Sequence, residues 1–207
     1  MRTLKLVAVS AGLSSPSSTR LLADRLLQAA RYRLAEQEYA VDVEVVELRD
    51  LAVDIANNFV TGFPSGRLRE ALDAVTGADG VIAVTPVFTA SYSGLFKSFF
   101  DLVDPAALTG TPVLIGATGG TARHSLVLDH ALRPLFAYLR ALTVPTAVYA
   151  ASEDWGSGGD EYTEGLPARI NRAGYEFADA VAARPARDED EDEVVPFARQ
   201  LADLRLD

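Results

Sequence analysis

Apolar positions fall into short dense runs, separated by longer stretches in which they recur at helical spacing. Thr3–Ser10 (TLKLVAVS) is rich in Leu and Val and ends in small polar residues, the pattern of a buried strand opening into a loop. From about Ser18 to Glu38, Leu22, Leu26 and Ala30 share one helical stripe, with Leu27 and Leu34 beside it. Val41–Leu48 (VDVEVVEL) predicts a second strand, and Leu68–Val75 a short helix with Ser65 as its cap. Gly80–Thr85 (GVIAVT) is apolar throughout, as a strand covered on both faces is. Gly94–Val103 returns to helical spacing through Leu95, Phe96, Phe99, Phe100 and Val103. Thr111–Ala117 and Val144–Ala150 predict a fourth and a fifth strand. Between them Ser125–Leu142 predicts an amphipathic helix that Pro134 kinks or restarts, and about Glu161–Ala183 predicts a last helix. Strands alternating with helices in this way give an α/β fold, a five-stranded parallel sheet with helices on both faces.

Composition narrows what such a fold can do. A length of 207 residues, 49% of them hydrophobic, suits one domain with a sizeable core. The absence of cysteine excludes a disulfide scaffold, a zinc ribbon and a thiol nucleophile, and no metal-ligand set is expected. The longest apolar runs, Val81–Val84 and Pro112–Ala117, fall far short of a membrane span, and Met1–Ser10 reads as a strand rather than a signal peptide. With 19 basic against 29 acidic residues, the net charge of −10 argues against nucleic acid and anionic membranes as partners. A soluble, cytoplasmic protein is the expectation. The acidity is uneven: Asp188 to Glu193 are six successive acids, and residues 184–207 carry a net of −4. The division is therefore a domain over 1–183 and an acidic linker with a short C-terminal helix or tail over 184–207, where Val195, Phe197, Leu201 and Leu204 form an apolar side.

Three loops follow the first, third and fourth strands, where open parallel sheets bind ligands. The first, Ser10 to Arg20, holds six hydroxyls and no acid. Hydroxyls and backbone amides at a helix start surround a phosphate well, and the helix dipole favours its charge. The loop is neither G-x-G-x-x-G nor a Walker A motif. In the second, Thr85 to Gly94, a proline after a buried strand turns the chain and exposes amides that suit the edge of a flat heteroaromatic ring. The third, Gly116 to His124, carries the pair Gly119-Gly120, which permits close backbone approach to a ligand.

The middle loop runs Pro86-Val87-Phe88-Thr89-Ala90-Ser91-Tyr92-Ser93-Gly94-Leu95-Phe96-Lys97-Ser98-Phe99-Phe100-Asp101. This matches P-x-[YF]-x-x-[SG]-x-x-[GP]-x-x-K-x-x-x-D, and with the serine-rich first loop and the glycine pair the sequence resembles the NADPH-dependent FMN reductase family. The resemblance covers about residues 3–180. Segments such as SGLFKSFFDLVD and HSLVLDHALRPLFAYLRAL are similar to the subgroup that supplies reduced flavin to luciferase-like monooxygenases. It implies a flavodoxin-like three-layer sandwich with strand order 2-1-3-4-5. Ser10, Ser17, Ser18 and Thr19 would hold the FMN phosphate. Pro86, Val87, Phe88 and Thr89 would line the isoalloxazine, with Thr118, Gly119 and Gly120 on its other side. FMN and NADPH are the implied cofactors, a monooxygenase an implied partner, and a homodimer or homotetramer the implied assembly. No residue is assigned a catalytic role, because the cofactor carries the chemistry.

The chain departs from its relatives in two places. Many have G-S-x-R in the first loop, where Leu13-Ser14-Ser15 stands here with Arg20 as the charge in reach; relatives with tyrosine at the Phe88 position have a hydroxyl that this chain lacks. Arg123 and His124 suit the 2′-phosphate of NADPH, polar atoms of the flavin, helix ends or solvent. Two other functions compete: an FMN-containing quinone or azo reductase, and a non-enzymatic flavodoxin-like electron carrier, whose loop of alternating Thr and Gly is missing. Asp129 and Arg133 read as an i, i+4 surface pair rather than catalytic groups, and no G-x-S-x-G elbow supports a hydrolase. Asn57–Gly66 reads as a long loop with two aromatics, facing a neighbouring subunit or packing over the sheet.

Overall fold

The computed structural model describes residues 2–156 and 164–185. Strand β1 (Thr3–Ser10) runs parallel between β2 (Ala40–Glu47) and β3 (Gly80–Phe88), and β5 (Pro112–Gly119) lies parallel on the far side of β3. Side chains alternate between the two faces, as a strand period of two requires. Leu4, Leu6 and Ala8 of β1 meet α1 (Ser18–Glu36) and α6 (Leu166–Ala183), whereas Val7 and Val9 meet the opposite layer. That layer holds α2 (Ala52–Thr61), α3 (Gly66–Thr76), α4 (Gly94–Phe100) and α5 (Arg133–Tyr138), knit by tilted and edge-on contacts among Phe96, Phe99, Phe100 and Phe136. Both faces of the central strands are thus dry, which is why their sequences are apolar throughout. Ser65 caps α3 as its sequence predicts, accepting from the Leu68 N–H.

The positions across the sheet follow the doubly wound order 2-1-3-4-5, but the sheet has seven strands rather than five. The expected fifth strand is cut into β6 (Leu142–Thr143) and β7 (Val148–Ala151), each parallel to β5. Pro145 has no N–H to give the ladder. The neighbouring Thr146 N–H turns to Glu176 at 2.9 Å, and the Arg133 guanidinium takes the Val144 and Pro145 carbonyls. The added strand β4 (Ser91–Tyr92) pairs antiparallel with the end of β3, so the sheet is not wholly parallel.

Three helical expectations change. The region expected as a helix over Ser125–Leu142 is a short π-helical turn at Leu128–Leu132 followed by α5, with Pro134 in the first turn of the restarted helix. Most of Asn57–Gly66 is not loop: α2 continues to Thr61 and ends on Gly62 in the left-handed region. The last helix starts at Leu166; its expected beginning, and nearly all of the acidic tail, lie outside the described residues. No helix among the described residues is long and apolar enough to cross a membrane.

Helices α1 and α6 approach closely because Gly174 has no side chain. A Cβ there would lie 2.6 Å from the Ala29 Cβ and 3.1 Å from the Ala30 nitrogen. Gly174→Ala is therefore expected to cost about 1–3 kcal/mol through overpacking. Thermal denaturation checks this: the midpoint should fall by several degrees, and an unchanged midpoint would contradict the contact.

Candidate functional site

The carboxyl ends of β1, β3, β5 and β7 open on one edge of the sheet. After β1, the chain must turn back within a few residues to start α1. Gly12 makes that turn possible, since a Cβ there would sit 2.0 Å from Ser17 Oγ and 3.2 Å from the Thr19 Cβ. Ser17 is the N-cap, its hydroxyl accepting from the Arg20 N–H at 3.2 Å, and the first turn of α1 contains no acid. The Ser18 and Thr19 amides fall in that first turn, where helix geometry provides no intrahelical acceptor. Ser18 is exposed and Ser17 half-buried, while Ser10 is wholly buried with a hydroxyl that has no protein partner.

Two residues of this loop do not stand where the sequence suggests. Thr19 is buried, and its hydroxyl shares a 2.8 Å hydrogen bond with the Thr118 hydroxyl at the end of β5. The first and third loops are thereby tied together. Arg20, expected as a charge for the loop, is held by Asp24 at 2.8 Å and Glu47 at 2.5 Å, because its position on α1 directs it toward β2. Arg49, which carries no sequence signal of such a role, reaches the loop instead and donates to the Ser14 carbonyl at 2.9 Å while also facing Glu47.

Pro86 does not turn the chain. It lies inside β3, opposite Thr118 of β5, and the strand continues through Val87 and Phe88. The reversal comes at Thr89 and Ala90, whose φ values of 48° and 66° are both left-handed. They form the two-residue turn joining Phe88 to Ser91 in the hairpin with β4. Left-handed backbone at a β-branched residue is strained, and such strain is characteristic of functional loops. The buried Thr85 hydroxyl anchors the hairpin by accepting from the Ser93 N–H at 3.0 Å, and Ser93 in turn caps α4. Phe88 is left 47% exposed at the rim, so it is not a core residue.

In the third segment Thr118 and Gly119 complete β5, and only Gly120 lies beyond the strand. A Cβ on Gly119 would lie 2.1 Å from the Tyr149 hydroxyl, which donates to the Thr121 carbonyl at 2.8 Å. Burial, and then the Asp154 and Glu153 carboxylates, hold the Tyr149 phenol above its ordinary range, so it remains a donor. Arg169 bonds the Tyr149 carbonyl at 2.7 Å and Asp154 at 2.8 Å, and Asp154 accepts from the Ala151 N–H. Tyr149 and Arg169 thus position this loop, although a tyrosine in an apolar strand carries no sequence signal of that role. Arg123 and His124 follow in an exposed single turn, with Thr121 as its cap.

Comparison with known proteins agrees with this geometry. The family model for NADPH-dependent FMN reductase matches residues 4–156. FMN reductase (NADPH) of Pseudomonas aeruginosa is 40% identical over 183 residues, covering 87% of this chain and 94% of its own. NADH-dependent FMN reductase SfnF of Pseudomonas fluorescens is 40% identical over 175 residues, covering 83% and 89% respectively. Among solved structures, an oxidoreductase from Corynebacterium diphtheriae superposes with a TM-score of 0.83 at 46% identity, covering 89% of this chain and 99% of that one.

The Thr19–Thr118 bond has a clean test. Thr19→Val leaves the Thr118 hydroxyl buried without a partner and is expected to cost about 1–3 kcal/mol, whereas replacing both by valine is close to neutral relative to that single change. Chemical denaturation of the two single variants and the double variant measures the difference; additive losses would show that the pair is not coupled.

Proposed function

The chain belongs to the NADPH-dependent FMN reductase family, and from that premise we propose that it moves a hydride from a reduced nicotinamide to FMN and hands the reduced flavin to a flavin-dependent monooxygenase. The observation that carries the reading is the acid-free hydroxyl loop at the start of α1, clamped to the end of β5 beside the strained hairpin. The donors present there fit a phosphate ester. The Ser10 hydroxyl lacks a protein partner, Ser17 and Ser18 stand at the helix start, and Arg49 brings a guanidinium to the same loop. Thr19 contributes its amide and its hydroxyl, which also clamps the loop to Thr118.

Pro86, Val87, Phe88 and Thr89 line the flavin ring, and Thr118, Gly119 and Gly120 close its other side. When bound, FMN supplies the hydride acceptor at its N5 position. The protein's share is to orient the two rings at a reactive separation and to bind both anions, without a side-chain acid or base. NADPH is the donor in this reading, and the relatives include both an FMN reductase (NADPH) and an NADH-dependent FMN reductase. The protein acts in the cytoplasm as a homodimer or homotetramer, a reading supported by the exposed apolar Val53, Phe59, Val60 and Phe63 on and after α2.

Following the near-ultraviolet absorbance of NADPH with and without added FMN tests the function. Rapid consumption only with excess FMN is expected. Consumption that requires a quinone would favour a quinone reductase, and no consumption would favour a carrier. Within the phosphate loop, Ser18→Asp places a carboxylate beside the bound phosphate. It should weaken FMN binding about tenfold or more, equivalent to ~1.4 kcal/mol, by fluorescence titration; unchanged affinity would move the phosphate elsewhere.

A further inference from the structure

Both histidines of the chain, together with Arg123, line one cleft that the flavin site does not use. The cleft, of about 360 Å³, lies between the hairpin tip at Ala90 and Ser91 and the segment that follows β5. Leu126, Val127 and Ala131 give it an apolar wall, and His124 and His130 its polar rim. No carboxylate lines it. The neighbouring Asp129 is already engaged by Arg133, at 2.7 Å. Among the described residues, the side chains of Arg123, His124 and His130 hold no hydrogen bond or ion pair, whereas Arg20, Arg49, Arg133 and Arg169 all face carboxylates. In a chain of net charge −10, an uncommitted cationic cleft is a local reversal of sign.

The surrounding structure holds these groups in place. The Tyr149 hydroxyl fixes the Thr121 carbonyl, and Thr121 caps the turn that carries Arg123 and His124. The widened turn at Leu128–Leu132, in which the Arg133 N–H bonds the Leu128 carbonyl five residues back, brings His130 to the same cleft. Such widened turns occur frequently at functional sites. The cleft is also separate from the phosphate loop. Loop one leads into α1, which covers one face of the sheet, whereas Val127 and the residues after it pack into the opposite layer. The two positions share the hairpin and the segment after β5, with Phe88, Thr89 and Gly120 on the flavin side and Ala90, Ser91, Arg123 and His124 at the cleft.

We propose that this cleft binds a phosphate of the nicotinamide dinucleotide, with Arg123 making the ionic contact and His124 and His130 donating hydrogen bonds beside it. The proposal rests on the FMN reductase reading. It follows from there being a second anionic reactant, whose nicotinamide must reach the flavin while its phosphates find a charge that the flavin phosphate has not taken. Two phosphates share this chemistry, the pyrophosphate common to both dinucleotides and the 2′-phosphate unique to NADPH.

Steady-state kinetics at saturating FMN, with NADPH and with NADH, test it in the full-length protein. Arg123→Ala should raise KM for the dinucleotide about tenfold or more, with the loss on KM rather than kcat, and Arg123→Lys should recover much of it. The double variant His124→Ala, His130→Ala should raise the same KM. A loss confined to NADPH identifies the 2′-phosphate, and an equal loss with both donors identifies the pyrophosphate. The dependence of KM on ionic strength should also flatten in Arg123→Ala. Unchanged KM values for both donors in all of these variants would overturn the proposal, as would a parallel loss of FMN affinity by fluorescence titration, which would assign the cleft to the flavin. A native protein that oxidises neither donor in the presence of FMN would instead overturn the reductase reading.

Discussion

The hydrogen bond between the buried Thr19 and Thr118 hydroxyls joins the start of α1 to the end of β5, and the geometry of the ligand edge follows from it. One hydroxyl donates and the other accepts in a place closed to water, where an unpaired one costs about 1–3 kcal/mol. That is a large share of the 5–15 kcal/mol by which domains are typically stable. The bond therefore sets how far α1 can slide along the sheet, and with it the position of the helix's first amides. Gly12 and Gly174 act in the same direction, one letting the loop fold against the cap and the other letting α6 press on α1. A side chain at either position would displace α1 and the hydroxyl-rich loop before it.

The central strands are legible in the sequence because burial on both faces leaves a continuous apolar signature in Thr3–Ser10, Gly80–Thr85 and Pro112–Ala117. Features decided by distant partners are not. The split edge strand depends on Glu176 and Arg133 taking up groups around Pro145, and neither residue is near it in sequence. Helix α2 was read in part as loop because only Ile55 of it is buried, so no apolar stripe marks a core face. The hairpin escaped notice because its turn is Thr89-Ala90 rather than the Asn-Gly or Asp-Gly that announces such a turn. Pro86 was taken for the turn itself, yet proline is tolerated where a strand needs no donor from it.

Site residues divide along the same line. The hydroxyls of Ser17 and Ser18 in an acid-free loop before a helix are a local signal, legible from composition and position. The contact of Thr19 with Thr118, 99 residues away, has no local signal. Arg20 was read as an available charge, but sequence cannot show that Asp24 and Glu47 already hold it. Tyr149 and Arg49 illustrate the remainder: their importance comes from which carbonyl each one reaches, and composition gives no indication of that.

The distribution of cations bears on how an acidic protein manages two anionic reactants. Ion pairs hold most arginines near the sheet edge, so the loop before α1 offers chiefly hydroxyls and amides, with Arg49 shared between Ser14 and Glu47. Hydrogen bonds from neutral donors are roughly half as strong as those from a charged group. On the reading proposed above, that moderation suits a flavin that must leave once reduced, because a fully committed guanidinium would slow its release. The cationic cleft beyond the hairpin then has a different task, attracting the dinucleotide without tightening the grip on the flavin. Separating the two anion sites across the sheet edge lets each affinity be set independently, and the strained turn at Thr89-Ala90 and the segment after β5 are the elements that connect them.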